Sequence, residues 1–111
     1  MSLFERYGAP LTAYSDLTAG THTLITAPTD NGRIVVVAYA ITRDSTSAAG
    51  TVALRSGTTQ IWPTLGLNLN SPQQLALPNG ILWLAPEEAL TAVIVAAGNY
   101  GLGFAYHIVR P

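Results

Sequence analysis

The sequence predicts an all-β fold, an antiparallel β-sandwich of jelly-roll type with about eight strands. Three observations lead there. Eight short stretches are rich in β-branched or aromatic residues, turn-forming residues separate them, and no segment of ten or more residues keeps a helical period. With 111 residues the chain is one domain, large enough to bury a core without a metal or disulfide.

The first sixteen residues, MSLFERYGAPLTAYSD, mix Phe4, Tyr7 and Tyr14 with charge, Gly8 and Pro10. They read as an extended N-terminal arm (residues 1–16) that needs a groove on its own domain or on a neighbour, or else as a frayed terminus, and the sandwich follows as residues 17–111. Over 11–17 a short helix is conceivable, but Thr12, Tyr14 and Ser15 favour extended backbone. The strands are then expected at 23–27, 33–43, 51–55, 59–67, 74–78, 81–85, 90–97 and 102–109, spaced roughly ten residues apart as in sandwiches and barrels. Between them lie PTDNG, DSTSAAG, RSGTT, NLNSP, LPNG, APEE and AGNYG, all turn chemistry. PEEAL at 86–90 suits a single helical turn, since proline fits a first helical position and carboxylates favour a helix start.

The segment LTAVIVAAGNYGLGFAYHIV, residues 90–109, contains no Asp, Glu, Lys or Arg. It reaches the roughly 20 residues of a membrane-spanning helix. Gly98, Gly101 and Gly103 cluster around Asn99 in its middle, however, and both halves are β-branched or aromatic. It reads as a hairpin, with strands at 90–97 and 102–109 about a GNYG turn. GNYGLG also fails as a dinucleotide loop: the glycine order differs from G-x-G-x-x-G, a strand follows it, and no βαβ unit fits before Pro111.

Side chains alternate across a strand, so a surface strand should carry one polar face. In residues 33–43 strict alternation puts Ile34, Val36, Ala38 and Ala40 on one side and Val35, Val37, Tyr39 and Ile41 on the other; both are apolar. Residues 90–97 split into Ala92, Ile94 and Ala96 against Val93, Val95 and Ala97, and residues 102–109 into Leu102, Phe104, Tyr106 and Ile108 against Gly103, Ala105, His107 and Val109. A sandwich has one inner face per sheet, so something covers the second. With no helix to spare and turns arguing against a membrane, other subunits are the expected cover, in a closed homo-oligomer. The interface residues are then Val35, Val37, Tyr39, Ile94, Ala96, Ala105 and His107. Loops or the N-terminal arm of the same chain are the alternative cover.

Composition points the same way. Only 10% of residues are charged, against about 25% in an average domain, and 49% are hydrophobic. All five basic residues are arginine. A net charge of −1 without a basic cluster argues against nucleic-acid binding. Glu5 and Arg6 near the start, with no apolar run after them, lead us to expect no signal peptide and synthesis in a cytoplasm.

Catalytic chemistry is thin, and no enzyme activity is expected. There is no cysteine; His107 lies mid-strand; His22 sits in a threonine-rich stretch, and Ser15, Asp16 and His22 lack any nucleophile context. Adjacent Glu87 and Glu88 read as a solvated turn, and Asp30 with Asn31 offers too few oxygens for calcium. No spacing suits zinc. We expect no cofactor and no metal. Arg43 and Arg55 could pair with Asp16, Asp44 or Glu87 across subunits, or stay solvated.

Three stretches, TAGTHTLITAPTDNGRIVVVAYAI, AGTVALRSGTTQIW and GILWLAPEEALTAVIVAAGNYGLGFAYHIV, resemble small β-sandwich structural proteins of tailed bacteriophages. The resemblance runs from about Thr18 to Val109 and is nearest to head decoration (cement) proteins. It implies a trimeric jelly roll on the capsid surface, bound to the major capsid protein and stabilising the head, with no enzymatic role. It also implies a capsid-gripping arm that includes Leu3, Phe4, Arg6, Tyr7 and Tyr14. Tail-fibre or receptor-binding sandwiches resemble the chain next. That alternative implies a lectin-like carbohydrate site on exposed aromatics, with Trp62 and Tyr100 the better platforms and Trp83 assigned to the core.

Overall fold

A computed structural model describes residues 3–43, 50–67, 73–77, 80–95 and 98–111. Two antiparallel sheets pack face to face, as the sequence predicts. A front sheet joins β1 (Leu11–Leu17), β10 (Tyr100–Val109) and β3 (Arg33–Arg43), with β7 (Gln73–Ala76) and β8 (Leu82–Trp83) sharing the far side of β3. A back sheet joins β2 (Gly20–Ile25), β9 (Leu90–Val95) and β4 (Gly50–Ser56), with β5 (Thr59–Gln60) and β6 (Leu65–Leu67) sharing the far side of β4. Among the described residues the strand count is therefore ten rather than eight. The two split edges leave eight strand positions, and the orders β1-β10-β3-β7 and β2-β9-β4-β5 are those of a jelly roll.

The core lies between the sheets. Ile34, Ile41, Val52, Leu54, Leu84, Leu90, Leu102 and Tyr100 are buried to 1% exposure or less. Each comes from an inward position of a strand or the residue beside one, although strict alternation along residues 33–43 puts Ile34 and Ile41 on opposite faces.

The pairing of strands differs from expectation where local turn chemistry looked decisive. Residues 90–109 do not form a hairpin: β9 pairs with β2 and β4 in the back sheet, whereas β10 pairs with β1 and β3 in the front sheet. Tyr100 and Gly101, expected in the turn, are the first residues of β10. The Thr29–Gly32 turn likewise carries the chain from one sheet to the other. Asp30 and Asn31 both have positive φ (56° and 58°), and Gly32 N–H donates to Thr29 C=O at 2.9 Å, a type I′ geometry. A true two-residue hairpin does form at Gly57–Thr58, where Gly57 takes φ 59° between β4 and β5.

A bulge in β3 resolves its two apolar faces. Opposite β10 the register steps from Ala38↔Ala105 to Val36↔Tyr106, leaving Val37 without a partner. The extra residue reverses the inward phase. Ile34 and Val36 face the core before it; Tyr39 and Ile41 face the core after it.

The expected extended arm divides in two. Leu11–Leu17 is no arm but β1, paired along its whole length with β10, so the sandwich begins at Leu11 rather than at residue 17. Leu3–Tyr7 forms a short helix, α1. A five-residue helix is not stable alone; this one is held by packing. Leu3 and Tyr7, one turn apart, lie against the outer side of the front sheet, where Leu3 is 8% exposed over Val35 and Val37. Gly8 at φ 78° ends the helix and Pro10 starts the run into β1.

PEEAL forms a tight β-turn instead of a helical turn. Glu88 N–H donates to Ala85 C=O at 3.3 Å, with Pro86 and then Glu87 (φ 58°) at the centre, the type II pattern. A left-handed glutamate costs about 1 kcal/mol. Two contacts with the neighbouring turn offset it: Glu87 N–H donates to Gly32 C=O at 2.7 Å, and Glu87 Oε2 accepts from Asn31 N–H at 2.9 Å. Glu88 serves the other side. Its Oε1 accepts from Ser56 Oγ at 2.7 Å, and that hydroxyl accepts from Ala85 N–H at 3.1 Å. The two adjacent carboxylates thus diverge, each tying a different turn at one end of the sandwich.

Candidate functional site

The outer side of the front sheet carries the most unusual surface, and its geometry follows from the register of three strands. Asp16–Gly101–Thr42, Tyr14–Gly103–Ala40 and Thr12–Ala105–Ala38 form three rows across β1, β10 and β3. Outward positions of β10 therefore read Gly101, Gly103, Ala105, His107 and Val109. The outward face of this strand has almost no side chains at its upper end and larger ones below. The result is a shallow trough along β10, with β1 and β3 as its walls and α1 seated at its lower end.

At the lower end Val35, Val37, Ala105 and Val109 pack with Leu3 and Tyr7. The Tyr7 ring sits 6.1 Å from that of His107, tilted by 45°, and the Arg6 guanidinium lies 5.6 Å from the Tyr7 centroid, a cation–π contact. His107 is buried. Of the residues expected at a subunit interface, Val35, Val37, Ala105 and His107 are thus on the outer face as the sequence suggests, but the chain's own N-terminal helix covers them. Tyr39 and Ile94 are not on an outer face at all. The bulge at Val37 turns Tyr39 inward, edge-on to Trp62 at 6.5 Å, and Ile94 is 2% exposed between the sheets. Ala96 lies outside the described residues. Ala92, grouped by alternation with Ile94 and Ala96, is in the core.

At the upper end Tyr14 is the key side chain. A β-carbon on Gly101 would stand 2.9 Å from the Tyr14 Oη and 2.8 Å from Thr42 Oγ1; one on Gly103 would stand 3.5 Å from Tyr14 Cδ2. The ring thus reaches over the two glycines, and a side chain at Gly101 would force the Tyr14 hydroxyl and Thr42 to shift. Tyr14 Oη donates to Asp16 Oδ1 at 2.7 Å, which fixes the ring's direction. That hydrogen bond, with smaller contributions from desolvation and the carboxylate charge, raises the phenol's pKa above its ordinary value. The ring nevertheless stays 69% exposed. The glycines of GNYGLG, which superficially suggest a phosphate loop, are the seat of a tyrosine from the neighbouring strand.

Two hollows lie near this ring. One of about 320 Å³ is apolar, lined by Ala38, Ala40, Gly103, Ala105, Thr12 and Tyr14 itself. The other, about 450 Å³, is polar, lined by Asp16, Thr42, Arg43, Asn99 and Gly101. The Nε of Arg43 is buried without a hydrogen-bond partner.

Other residues singled out in the sequence have structural places. His22 Nε2 bonds Thr18 C=O at 2.7 Å, which ties the β1–β2 turn. Tyr100 is fully buried and Trp62 is half-buried against Tyr39, so neither is an exposed platform; Trp83, assigned to the core, is instead 48% exposed beside Val35. Among the arm residues Leu3 is buried, Arg6 is exposed, Tyr7 is half-buried and Tyr14 belongs to β1. Phe4 lies in α1, and its side chain is outside the described residues. Among the described residues no group of three His, Cys, Asp or Glu could hold a metal ion, and no helix is long and apolar enough to cross a membrane. The chain matches no protein-family model and no curated protein.

Proposed function

We propose that this chain is a non-enzymatic structural protein of a tailed-phage virion, a homo-oligomeric, trimeric decoration protein that seats on the major capsid protein and stabilises the head. The observation that carries the reading is a sandwich with few charges that leaves large apolar side chains on several sides. Val95 is 64% exposed on the outer face of the back sheet, Leu11 53%, Trp83 48% and Leu77 47%. Single exposed apolar residues are ordinary. Here they occur on a chain only 10% charged, in which burial by other protein supplies what a solvated surface does not. The likeness of the quoted stretches to head decoration proteins supports the same conclusion.

The mechanism is physical. Contacts spread across a capsomer junction add apolar burial at about 25 cal/mol per Å² where genome pressure pulls the shell apart. The N-terminal segment is the part of the chain assigned to gripping the capsid, and Gly8, Ala9 and Pro10 join its helix α1 to β1. Truncation after Tyr14 would remove most of β1, so the informative variant deletes residues 1–9. It is expected to keep the sandwich and its subunit association but lose attachment to expanded phage heads in a sedimentation assay. Equal attachment of the truncated and full chains would refute the role of the arm. Heads that resist heating equally with and without the full chain would refute the stabilising function.

A further inference from the structure

We propose that the Tyr14 trough is a carbohydrate-binding site, taking a single pyranose ring stacked on Tyr14. This goes beyond the virion reading and does not depend on it. Three observations meet at one place. The first is an aromatic ring 69% exposed, with its Oη hydrogen-bonded to Asp16 and its face over Gly101 and Gly103. Glycine in a strand interior is unfavourable for stability, and Gly101 and Gly103 are placed on the one face where their missing β-carbons admit this ring. The second is the apolar hollow beside it, floored by Ala40, Gly103 and Ala105. The third is the polar hollow at the phenol end, lined by Asp16 with its carboxylate acceptors, Thr42 with its hydroxyl, and Arg43.

A pyranose presents this pattern in reverse. One face is a patch of C–H bonds that packs on an aromatic ring, and the rim carries hydroxyls that both donate and accept. Charged anions fit less well, because Asp16 faces the same hollow as Arg43. A purely apolar ligand would leave Asp16, Thr42 and Arg43 desolvated. The hollows, about 320 and 450 Å³, fall within the roughly 300–1,000 Å³ usual for small-molecule clefts. Such open sites bind one sugar ring weakly, with Kd about millimolar, and gain from repetition on an oligomer.

The full chain is titrated with methyl glucoside, methyl galactoside, methyl mannoside, N-acetylglucosamine and rhamnose while amide NMR shifts are followed. Binding of at least one of them is expected to move the amides of Tyr14, Thr42, Gly101 and Gly103. Tyr14→Ala is expected to weaken that binding roughly tenfold or more, and Tyr14→Phe, which keeps the stacking face, much less. Should Tyr14→Ala lose its folded spectrum, Ala40→Arg, an exposed substitution that fills the apolar hollow, is expected to block binding in a folded protein. Shifts that map to another surface, no shift with any of the five sugars at tens of millimolar, or binding unaffected by Ala40→Arg would overturn the assignment. So would concentration-dependent shifts of the same amides without sugar, which would give the trough to a second copy of the chain.

Discussion

Replacing Tyr100 by alanine separates the architecture described here from a hairpin with Tyr100 at its tip. In a hairpin tip the side chain would be solvated, and its loss would cost less than about 0.5 kcal/mol, as for surface substitutions in general. In the jelly roll Tyr100 opens β10, pairs with Leu17 on one side and Arg43 on the other, and is the largest fully buried side chain. Truncating a buried aromatic costs about 3–5 kcal/mol, through lost transfer energy and the cavity left behind. Against the 5–15 kcal/mol of a typical domain that is a third or more of the total. For a chain of this length about 4 °C accompanies each kcal/mol, so the thermal midpoint should fall by about 12–20 °C. Thermal unfolding followed by far-UV circular dichroism reads this directly. A fall of under about 3 °C would refute the placement of Tyr100, and with it the register that seats Tyr14.

Two further predictions concern the turns and the trough. Ser56→Ala removes a hydroxyl that bonds both Glu88 and Ala85 N–H; it should cost about 1–3 kcal/mol in urea unfolding, while the exposed Thr59→Ala should be nearly neutral. Tyr14 favours its neutral form in the folded state, so the Asp16 contact contributes stability below the unfolded phenol pKa near 10 and loses it as pH rises through the higher folded value. The carbon shift of its phenolic carbon should titrate above that of free tyrosine, and Asp16→Ala should bring the midpoint down; an unchanged midpoint would remove the hydrogen bond from the account.

How much of this was legible in the sequence depended on the range of the interaction involved. Strand formation is decided by residues close together, so the β-branched runs at 33–43 and 90–97 were readable. So was the extended preference of Thr12, Tyr14 and Ser15. Partner choice is not local. GNYG has the composition of a hairpin turn, but whether the chain doubles back or crosses to the other sheet depends on β1, β2, β3 and β4 holding the adjacent positions. The bulge at Val37 was equally hidden, because one unpaired residue in VVVAYA leaves the composition unchanged while reversing which residues face inward. This is why Tyr39 was read as outward. The sequence offers two covers for the second faces, other subunits first and the chain's own arm as the alternative. Leu3 and Tyr7 supply the second on the lower front sheet, leaving the trough and Val95 open. The seat for Tyr14 did leave a signal, two glycines at alternate positions of a strand, which marks one face cleared for a neighbouring ring. It was masked by its likeness to a nucleotide loop.

The central claim is that a chain with so few charges keeps its remaining apolar surface against other copies of itself. The most direct test is the mass in solution, by analytical ultracentrifugation at micromolar concentration. A trimer, three times the 11.7 kDa chain mass, is predicted. A single species at 11.7 kDa would contradict it.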